Sequence, residues 1–167
     1  MHTRVLHNSK LDRLVMVRLL GNGDTATVSA LFDRLGPVSR ERRFHAAKPR
    51  LTSGDLDALA RVDENHHVLV AYVDGDPLPA AMARVVRSTD DRRAGEIAFE
   101  VADQYQGCGI GTQVVEVLLT DVRAAGIACI EALVQTSNGA ALSLLRRVLA
   151  APIVRVKGGE TAVSAAA

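Results

Sequence analysis

The stretch Glu96-Ile-Ala-Phe-Glu-Val-Ala-Asp-Gln-Tyr-Gln-Gly-Cys-Gly-Ile-Gly-Thr-Gln-Val-Val115 decides the fold. Its apolar residues first alternate, which predicts a β-strand, and a glycine-rich turn (Gln106–Thr112) then opens directly into an amphipathic helix. Glycines let the backbone take positive φ and approach a ligand closely. A helix that begins there directs unsatisfied N–H groups and the positive end of its dipole at the loop. The stretch therefore predicts an anion site suited to a phosphate or pyrophosphate.

The glycine spacing separates this loop from two other phosphate motifs. The dinucleotide fingerprint is GxGxxG, whereas this loop reads GxGxG followed by Thr112, and no GxxxxGK[ST] occurs in the chain. The spacing that fits is Gln-x-x-Gly-x-Gly after a strand. A flexible glycine turn that only lets the chain enter a helix gives the same six residues, so the rest of the chain has to distinguish the two interpretations.

Composition favours one ordinary globular domain. The chain has 167 residues, of which 48% are hydrophobic and 23% charged, with a net charge of +1. This charge indicates no nucleic-acid partner, and no stretch is long and apolar enough for a membrane span or a signal peptide. Cys108 and Cys129 show no metal-ligand spacing, so we expect free thiols, no metal and a cytoplasmic protein.

The order of elements predicts an α+β fold. After a polar, irregular arm (residues 1–14), we expect a strand, two helices with a short helical turn over Ser39–Phe44 between them, and three strands joined by tight turns. The glycine loop and its helix then connect the third of those strands to a strand over Ile127–Gln135, which makes a βαβ unit with a parallel strand pair. A helix opened by Asn138 and a closing hairpin complete a mixed, mostly antiparallel sheet.

These features together resemble the GNAT family of N-acetyltransferases. The resemblance is carried by the Gln106–Gly111 loop, by Glu96 on the strand before it and by Asn138 after the next strand. It implies the GNAT fold, with the parallel strands splayed and helices on both faces of the sheet. Residues 15–164 would then be a single acetyltransferase domain.

A narrower similarity is to the acetyltransferase domain of bacterial Pat-type protein-lysine acetyltransferases. The segments that carry it are Asp33–Phe44, Leu51–Leu56, Asp63–Val68 and Ala94–Ala98. Such domains are often fused to a cyclic-nucleotide-binding or acyl-CoA-synthetase-like domain. We expect no second domain in this sequence, because its length leaves no room for one.

The resemblance implies acetyl-CoA as co-substrate. In that role Gln106 would hold the turn, the loop N–H groups would bind the pyrophosphate, and the N–H of Val101 would polarise the thioester carbonyl. Asn138 would contact CoA, although an ordinary helix N-cap explains it equally well. The implied cofactor residues are Val101, Asp103, Gln106, Gly107, Cys108, Gly109, Ile110, Gly111, Thr112 and Asn138. A further hypothesis is that Cys108, at a helix N-terminus, forms a mixed disulfide with CoA.

Glu96 is the expected general base, because a carboxylate acting through water can deprotonate the attacking amine. Glu100 lies on the same face of the strand, about 6.5–7 Å further along, and we predict that the like charges raise at least one of the two pKa values. The alternative is a solvated polar strand face. His66 and His67 are weaker candidates for a functional role.

One departure from the family pattern bears on activity. The family often carries a Tyr seven residues after the Asn, where it protonates the leaving thiolate, and this chain has Leu145 there. We predict acetyl transfer from acetyl-CoA to a primary amine, and we favour a protein lysine as that amine. The alternatives are a small-molecule amine acceptor or, because of Leu145, a catalytically weak acyl-CoA-binding regulatory module. The acyl chain length and the oligomeric state, a homodimer included, stay open.

Overall fold

The computed structural model describes residues 3–167. The strands are β1 (Arg4–Asn8), β2 (Arg13–Leu19), β3 (His66–Val73), β4 (Ala81–Arg87), β5 (Ala94–Val101), β6 (Cys129–Gln135), β7 (Ile153–Lys157) and β8 (Glu160–Ala166). The helices are α1 (Thr25–Phe32), α2 (Pro37–Phe44), α3 (Ser53–Leu59), α4 (Ile110–Ala124) and α5 (Gly139–Val148), and a 3-10 turn spans Asp103–Tyr105. All of these strands form one sheet in the order β1-β2-β3-β4-β5-β6-β8-β7.

The sheet is mixed, with β5 and β6 as its parallel pair and antiparallel pairing elsewhere, as predicted. These two strands pair only over Ala94–Glu96 and Cys129–Glu131. Beyond that point β5 stays bonded to β4 up to Val101, and β6 stays bonded to β8 up to Gln135. The strands therefore splay apart, and a gap opens in the sheet toward their carboxyl ends.

The helices cover both faces of the sheet. On one face α4 buries Ile110, Val114 and Leu118, and the Gly111 position lies against the Val101 side chain of β5. On the other face Arg84 of β4 donates to the Ala58 carbonyl of α3, and Arg43 of α2 pairs with Glu100 of β5. Because side chains alternate along a strand, Val101 and Glu100 point to opposite faces, so α2 and α3 lie across the sheet from α4.

The prediction of an irregular arm over residues 1–14 is wrong for the part of this segment that the structure describes. Arg4–Asn8 forms β1, which pairs antiparallel with β2 from Arg4 opposite Val17 to Asn8 opposite Arg13. Leu6 packs against the core while Val5 is exposed. The free edge of β2 supplies the hydrogen-bonding partners that this short, polar segment does not specify by itself. Residues 1 and 2 of the expected arm lie outside the described residues.

The segment after α1 also differs from the expectation. A full helix, α2, replaces the short turn expected over Ser39–Phe44; it begins at Pro37, which suits the first helical position, and ends before His45 in the left-handed conformation (φ 58°). It packs against β5 and β6 and spans the gap between them. None of the helices within residues 3–167 combines the length and apolarity needed to cross a membrane.

Candidate active site

A cavity of about 390 Å³ occupies the gap between β5 and β6. Its walls come from both splayed strands, from α2 on one face, from the first turn of α4, from one side of α5, and from Lys10 in the turn between β1 and β2. The facing backbone edges of β5 and β6 are not bonded to one another beyond Glu96 and Glu131. An extended ligand in the gap could therefore pair with these edges, as a strand would.

The glycine loop presents backbone donors at one end of this cavity. Gly107 and Gly109 both have positive φ, 74° and 88°, which a side-chain-bearing residue rarely adopts. The first helical donor of α4 is the Gln113 N–H, bonded to the Gly109 carbonyl at 3.1 Å. Within residues 3–167 the preceding N–H groups, from Gly109 to Thr112, have no backbone acceptor. With the helix dipole they form an anion site at the cavity wall.

Gln106 fastens the start of the loop. Its side-chain amide lies 3.0 Å from Ser39 Oγ on α2, 3.1 Å from the Val101 carbonyl and 3.1 Å from Asp103 Oδ1. The other carboxylate oxygen of Asp103 accepts the Gly36 N–H at 3.0 Å. The Asp103 carboxylate thus joins the loop to the start of α2 and does not line the cavity.

Seven of the ten expected cofactor residues line the cavity, and three do not. The seven are Val101, Gln106, Gly107, Gly109, Gly111, Thr112 and Asn138. Besides Asp103, Cys108 and Ile110 lie outside the lining. The Cys108 N–H donates to the Tyr105 carbonyl at 3.3 Å, and the Ile110 side chain is fully buried in the core. The sequence could not separate these three from their neighbours, because all of them belong to one short loop.

Gly111 marks a close approach between three elements. A Cβ at this position would lie 3.0 Å from Leu144 Cδ1 of α5 and 3.1 Å from Val101 Cγ2 of β5. The lack of a side chain lets the start of α4 pack against the end of β5 and against α5. The loop, the splayed strand and the second helix therefore meet at one point.

On α5, Asn138 caps the helix, and its Oδ1 accepts the Ala141 N–H at 3.2 Å. It also lines the cavity, so the N-cap role is observed and its amide nitrogen stays available to a ligand. Leu145, which occupies the position of the family's tyrosine, is fully buried in the core and does not line the cavity. A proton donor at that position would therefore need a different packing of α5.

The face of β5 that carries Glu96 and Glu100 is charge-compensated. Glu100 is bonded to Arg43, and both side chains are largely buried. Arg84 lies opposite Ala98, between the two glutamates, and burial together with the nearby Arg43 lowers its pKa below the ordinary range. The sequence prediction considered only the two carboxylates, and in the structure two guanidinium groups share their surroundings. Glu96 is exposed, lines the cavity and has no such ion pair among the described residues.

The two histidine candidates lie elsewhere. His66 Nδ1 is 2.7 Å from Asp63 Oδ1, and His67 Nε2 is 2.9 Å from Asp121 Oδ2; neither histidine lines the cavity. The histidine that does line it is His45, whose Nδ1 is 2.9 Å from Glu160 Oε1 of β8.

Sequence reasoning missed several polar residues of the cavity wall. Lys10 reaches it from the β1–β2 turn, Ser39, Arg42 and Arg43 from α2, and Arg147 from α5. The available signal was the basic run Ser39–Phe44, whose i, i+3, i+4 spacing puts Ser39, Arg42 and Arg43 on one helix face. No sequence pattern pointed to Lys10.

Comparison with known proteins agrees with this arrangement. The model of the acetyltransferase (GNAT) family matches residues 30–150. Acetyltransferase Pat of Mycolicibacterium smegmatis is 32% identical over 108 residues, which make up 64% of this chain and 32% of that protein. The match thus spans about a third of the length of this curated relative.

Two solved structures share the fold. The GNAT domain of S. lividans PAT has a TM-score of 0.88 at 20% identity, covering 99% of this chain and 97% of that one. YncA from Salmonella typhimurium, a putative acetyltransferase solved with its cofactor acetyl-CoA, has a TM-score of 0.67 at 20% identity, covering 91% and 93%. The similarity to a Pat-type acetyltransferase domain that the sequence predicts is thereby confirmed.

Proposed function

This chain belongs to the GNAT family of acetyltransferases, and from that premise we propose that it transfers the acetyl group of acetyl-CoA directly to a primary amine, the side chain of a protein lysine. The observation that carries the proposal is the cavity in the β5–β6 gap, which joins the free N–H groups of the glycine loop to the exposed carboxylate of Glu96. A pyrophosphate and an amine have opposite charges, and the two parts of the cavity suit them respectively.

The cavity residues fit acetyl-CoA. The N–H groups from Gly109 to Thr112 would hold the pyrophosphate, and the unpaired edges of β5 and β6 would hold the pantetheine chain. The acetyl-CoA bound in YncA and the shared fold support this choice of co-substrate. Bound there, acetyl-CoA supplies an activated thioester; the protein's task is to position it and to manage protons.

Glu96 is the group we assign to deprotonation. The acceptor arrives as an ammonium ion, and its proton passes to the Glu96 carboxylate, directly or through one water. The free amine attacks the thioester carbonyl carbon and a C–N bond forms. The C–S bond then breaks with its electron pair on sulfur, and the second proton that the nitrogen loses passes to solvent. With Leu145 buried in the core, the thiolate takes its proton from solvent. A thiol with a pKa of about 8.5 is an acceptable leaving group without a dedicated acid.

The lysine acceptor is supported by the similarity to the Pat domain and by the negative charge of the exposed Glu96 in the cavity wall. We place the reaction in the cytoplasm, where free thiols such as Cys108 and Cys129 persist. The buried Leu145 favours a second candidate function, a module that binds acyl-CoA tightly and turns over slowly.

A thiol-release assay with acetyl-CoA tests the proposal. The acceptors are lysine-containing peptides, the same peptides with Lys replaced by Arg, and a panel of small amines. We expect thiol release with the Lys peptides only, accompanied by an acetyl mass increase on the peptide. Turnover confined to small amines would replace the protein acceptor by a small one. CoA binding without turnover on any acceptor would favour the binding module, and absence of CoA binding would overturn the proposal altogether.

A further inference from the structure

The turn between β1 and β2 is attached to the glycine loop by Asn8. This side chain is 3% exposed and lies at the end of β1. Its Nδ2 donates to the Cys108 carbonyl at 3.1 Å and to Gln113 Oε1 at 2.7 Å. The Gln113 amide in turn donates to the His7 carbonyl at 3.1 Å. A segment about 100 residues away in sequence is thus fastened to both the loop and the first turn of α4.

The same asparagine shapes the turn that carries Lys10. Asn8 Oδ1 accepts the backbone N–H groups of Lys10 at 3.1 Å and Leu11 at 3.0 Å. Lys10 Nζ then donates to the Gly107 carbonyl at 3.0 Å, and the residue lines the cavity. The contact is close: a Cβ at Gly109 would lie 3.7 Å from Asn8 Nδ2 and 3.9 Å from Lys10 Cδ.

These bonds engage carbonyl groups of the loop and leave its N–H groups free of them. Two loop carbonyls, those of Gly107 and Cys108, are taken up by Lys10 and Asn8. The N–H groups that follow, from Gly109 onward, have no backbone acceptor among the described residues. A lysine ammonium has three donors, and the Gly107 carbonyl takes one of them. Two N–H bonds of Lys10 are therefore available beside the anion site.

The loop itself supplies no side-chain cation. The first residue of its motif is Gln106, which is neutral, and its amide is engaged by Ser39, Val101 and Asp103. Two phosphate groups bound only by backbone dipoles would keep most of their negative charge. A positive charge at the rim would offset it.

We propose that Lys10 is a binding residue for the pyrophosphate of acetyl-CoA, supplied to the glycine loop by the β1–β2 turn that Asn8 holds in place. This inference rests on the proposed use of acetyl-CoA. The competing account is that Lys10 only fastens the Gly107 carbonyl and never contacts the ligand. The two differ in salt dependence: a direct contact between the Lys10 ammonium and a phosphate is screened at high ionic strength, whereas a loosened loop binds the phosphates less well at every ionic strength.

The test compares two acetyl donors and three variants. Acetyl-CoA carries the pyrophosphate, whereas acetyl-pantetheine has the same thioester and no phosphate. Lys10→Met keeps most of the apolar stem and removes the charge, Lys10→Arg keeps the charge, and Arg13→Met removes an exposed charge from the same hairpin outside the cavity. For each protein, KM and kcat are measured with both donors at low and high salt, and coenzyme A binding is measured by calorimetry.

We expect Lys10→Met to raise KM for acetyl-CoA about tenfold at low salt with kcat unchanged, since a charge-assisted bond is lost that acts equally before and during reaction. The rise should shrink at high salt, where the contact is screened. Lys10→Arg should restore KM to within about threefold, and Arg13→Met should change it less than about twofold. With acetyl-pantetheine, Lys10→Met and the unaltered protein should agree.

A rise in KM of Lys10→Met that is as large at high salt as at low salt would show that Lys10 only fastens the loop, and equal losses with both donors would show a role unrelated to the phosphates. Unchanged KM in Lys10→Met would show no role, and any of these results overturns the inference. All of them leave the proposed function standing, provided that the unaltered protein binds coenzyme A. If the unaltered protein does not bind it, the proposed function fails first, and the calorimetry reports that directly.

Discussion

The two walls of the cavity present different chemical groups. The loop wall (Gln106–Thr112 with Asn138) offers backbone N–H groups held by glycine geometry and by fixed hydrogen bonds. The α2 wall (Arg43, Glu96 and Glu100, with Arg84 beside them but outside the cavity lining) offers charged side chains from three separate segments. Substitutions in the loop wall should therefore act through shape, and those in the α2 wall through charge.

The largest effect is expected at Gly109, and its matched control is Gly126 at the other end of α4. Both have positive φ, 88° and 75°. Valine at either position should cost about 1–2 kcal/mol of unfolding free energy, because a β-branched residue is strained there. Only Gly109→Val should disturb the loop N–H groups, and we expect it to weaken coenzyme A binding more than about 100-fold. Calorimetry and thermal unfolding measure the two quantities.

Similar binding losses in Gly109→Val and Gly126→Val would mean that general destabilisation, not loop shape, governs the cofactor site. The geometry of the loop wall would then have no special role in binding, and the proposed difference between the two walls would not hold.

The next effect concerns chemistry in the α2 wall. Glu96→Gln should lower kcat about 100-fold and leave KM for acetyl-CoA unchanged, since a general base acts in the transition state. Its control is Glu131→Gln, because Glu131 is the partner of Glu96 in the parallel register, is exposed, and lies outside the cavity lining. Steady-state kinetics with a lysine peptide across pH measures both. A Glu96→Gln variant with the same kcat across pH would remove Glu96 as the base.

The loop wall could be predicted from the sequence because the residues that determine it are close together in the chain. The strand, the glycine spacing and the α4 periodicity lie within the single stretch 94–122, and the order of elements around them fixes the parallel pair. Strand β1 was missed because it has two apolar residues in five and depends on the free edge of β2. A strand of that kind is specified by its neighbour, not by its own pattern.

The α2 wall could be predicted from the sequence only in part. Glu96 and Glu100 could be assigned to one face from strand alternation alone. Their partners could not, because Arg43 is 57 residues from Glu100 and Arg84 reaches the pair from another strand. The same limit hid Lys10, which is 97 residues from Gly107. Long-range charge contacts leave no periodicity in one sequence, and so the expected repulsion between the glutamates had no visible counter-charge.

A third, smaller effect tests whether the Arg43–Glu100 ion pair of the α2 wall stabilises the fold. Arg43→Gln should lower the unfolding free energy by about 2 kcal/mol, because it leaves the Glu100 carboxylate largely buried without its main partner. The control is Arg61→Gln, whose arginine pairs with Asp63 at 60% side-chain exposure, and there we expect less than about 0.5 kcal/mol. Urea unfolding measures both variants.

Glu96→Gln belongs in the same series. Its side chain is exposed, so its unfolding free energy should stay within about 0.5 kcal/mol of the unaltered protein. If Arg43→Gln lowered the unfolding free energy no more than Arg61→Gln does, the Arg43–Glu100 pair would not hold α2 over the gap. The charged residues of the α2 wall would then contribute to catalysis and not to stability.

The smallest effect probes an ion pair beneath the loop wall. Asp76 accepts bonds from Arg34 at 2.7 Å and from the Tyr105 hydroxyl at 2.7 Å, and Tyr105 lines the cavity just before the loop. The Arg34 hydrogen bond, aided by the Leu78 N–H and Tyr105, lowers the Asp76 pKa from 3.8 to about 2. Because the folded-state pKa is depressed, this contribution to stability is fully present above pH 3.8 and is lost as the pH falls through about 2.

Asp76→Asn should therefore be less stable than the unaltered protein at pH 7 by about 1 kcal/mol, and the difference should vanish as the pH approaches 2. Asp90→Asn, in an exposed turn, should match the unaltered protein at neutral pH. Because the loop N–H groups belong to the backbone, coenzyme A affinity of Asp76→Asn at pH 7 should change less than about threefold. A larger loss of affinity, with the stability difference as predicted, would mean that the loop wall also depends on side-chain charge, and the two walls would differ in degree only.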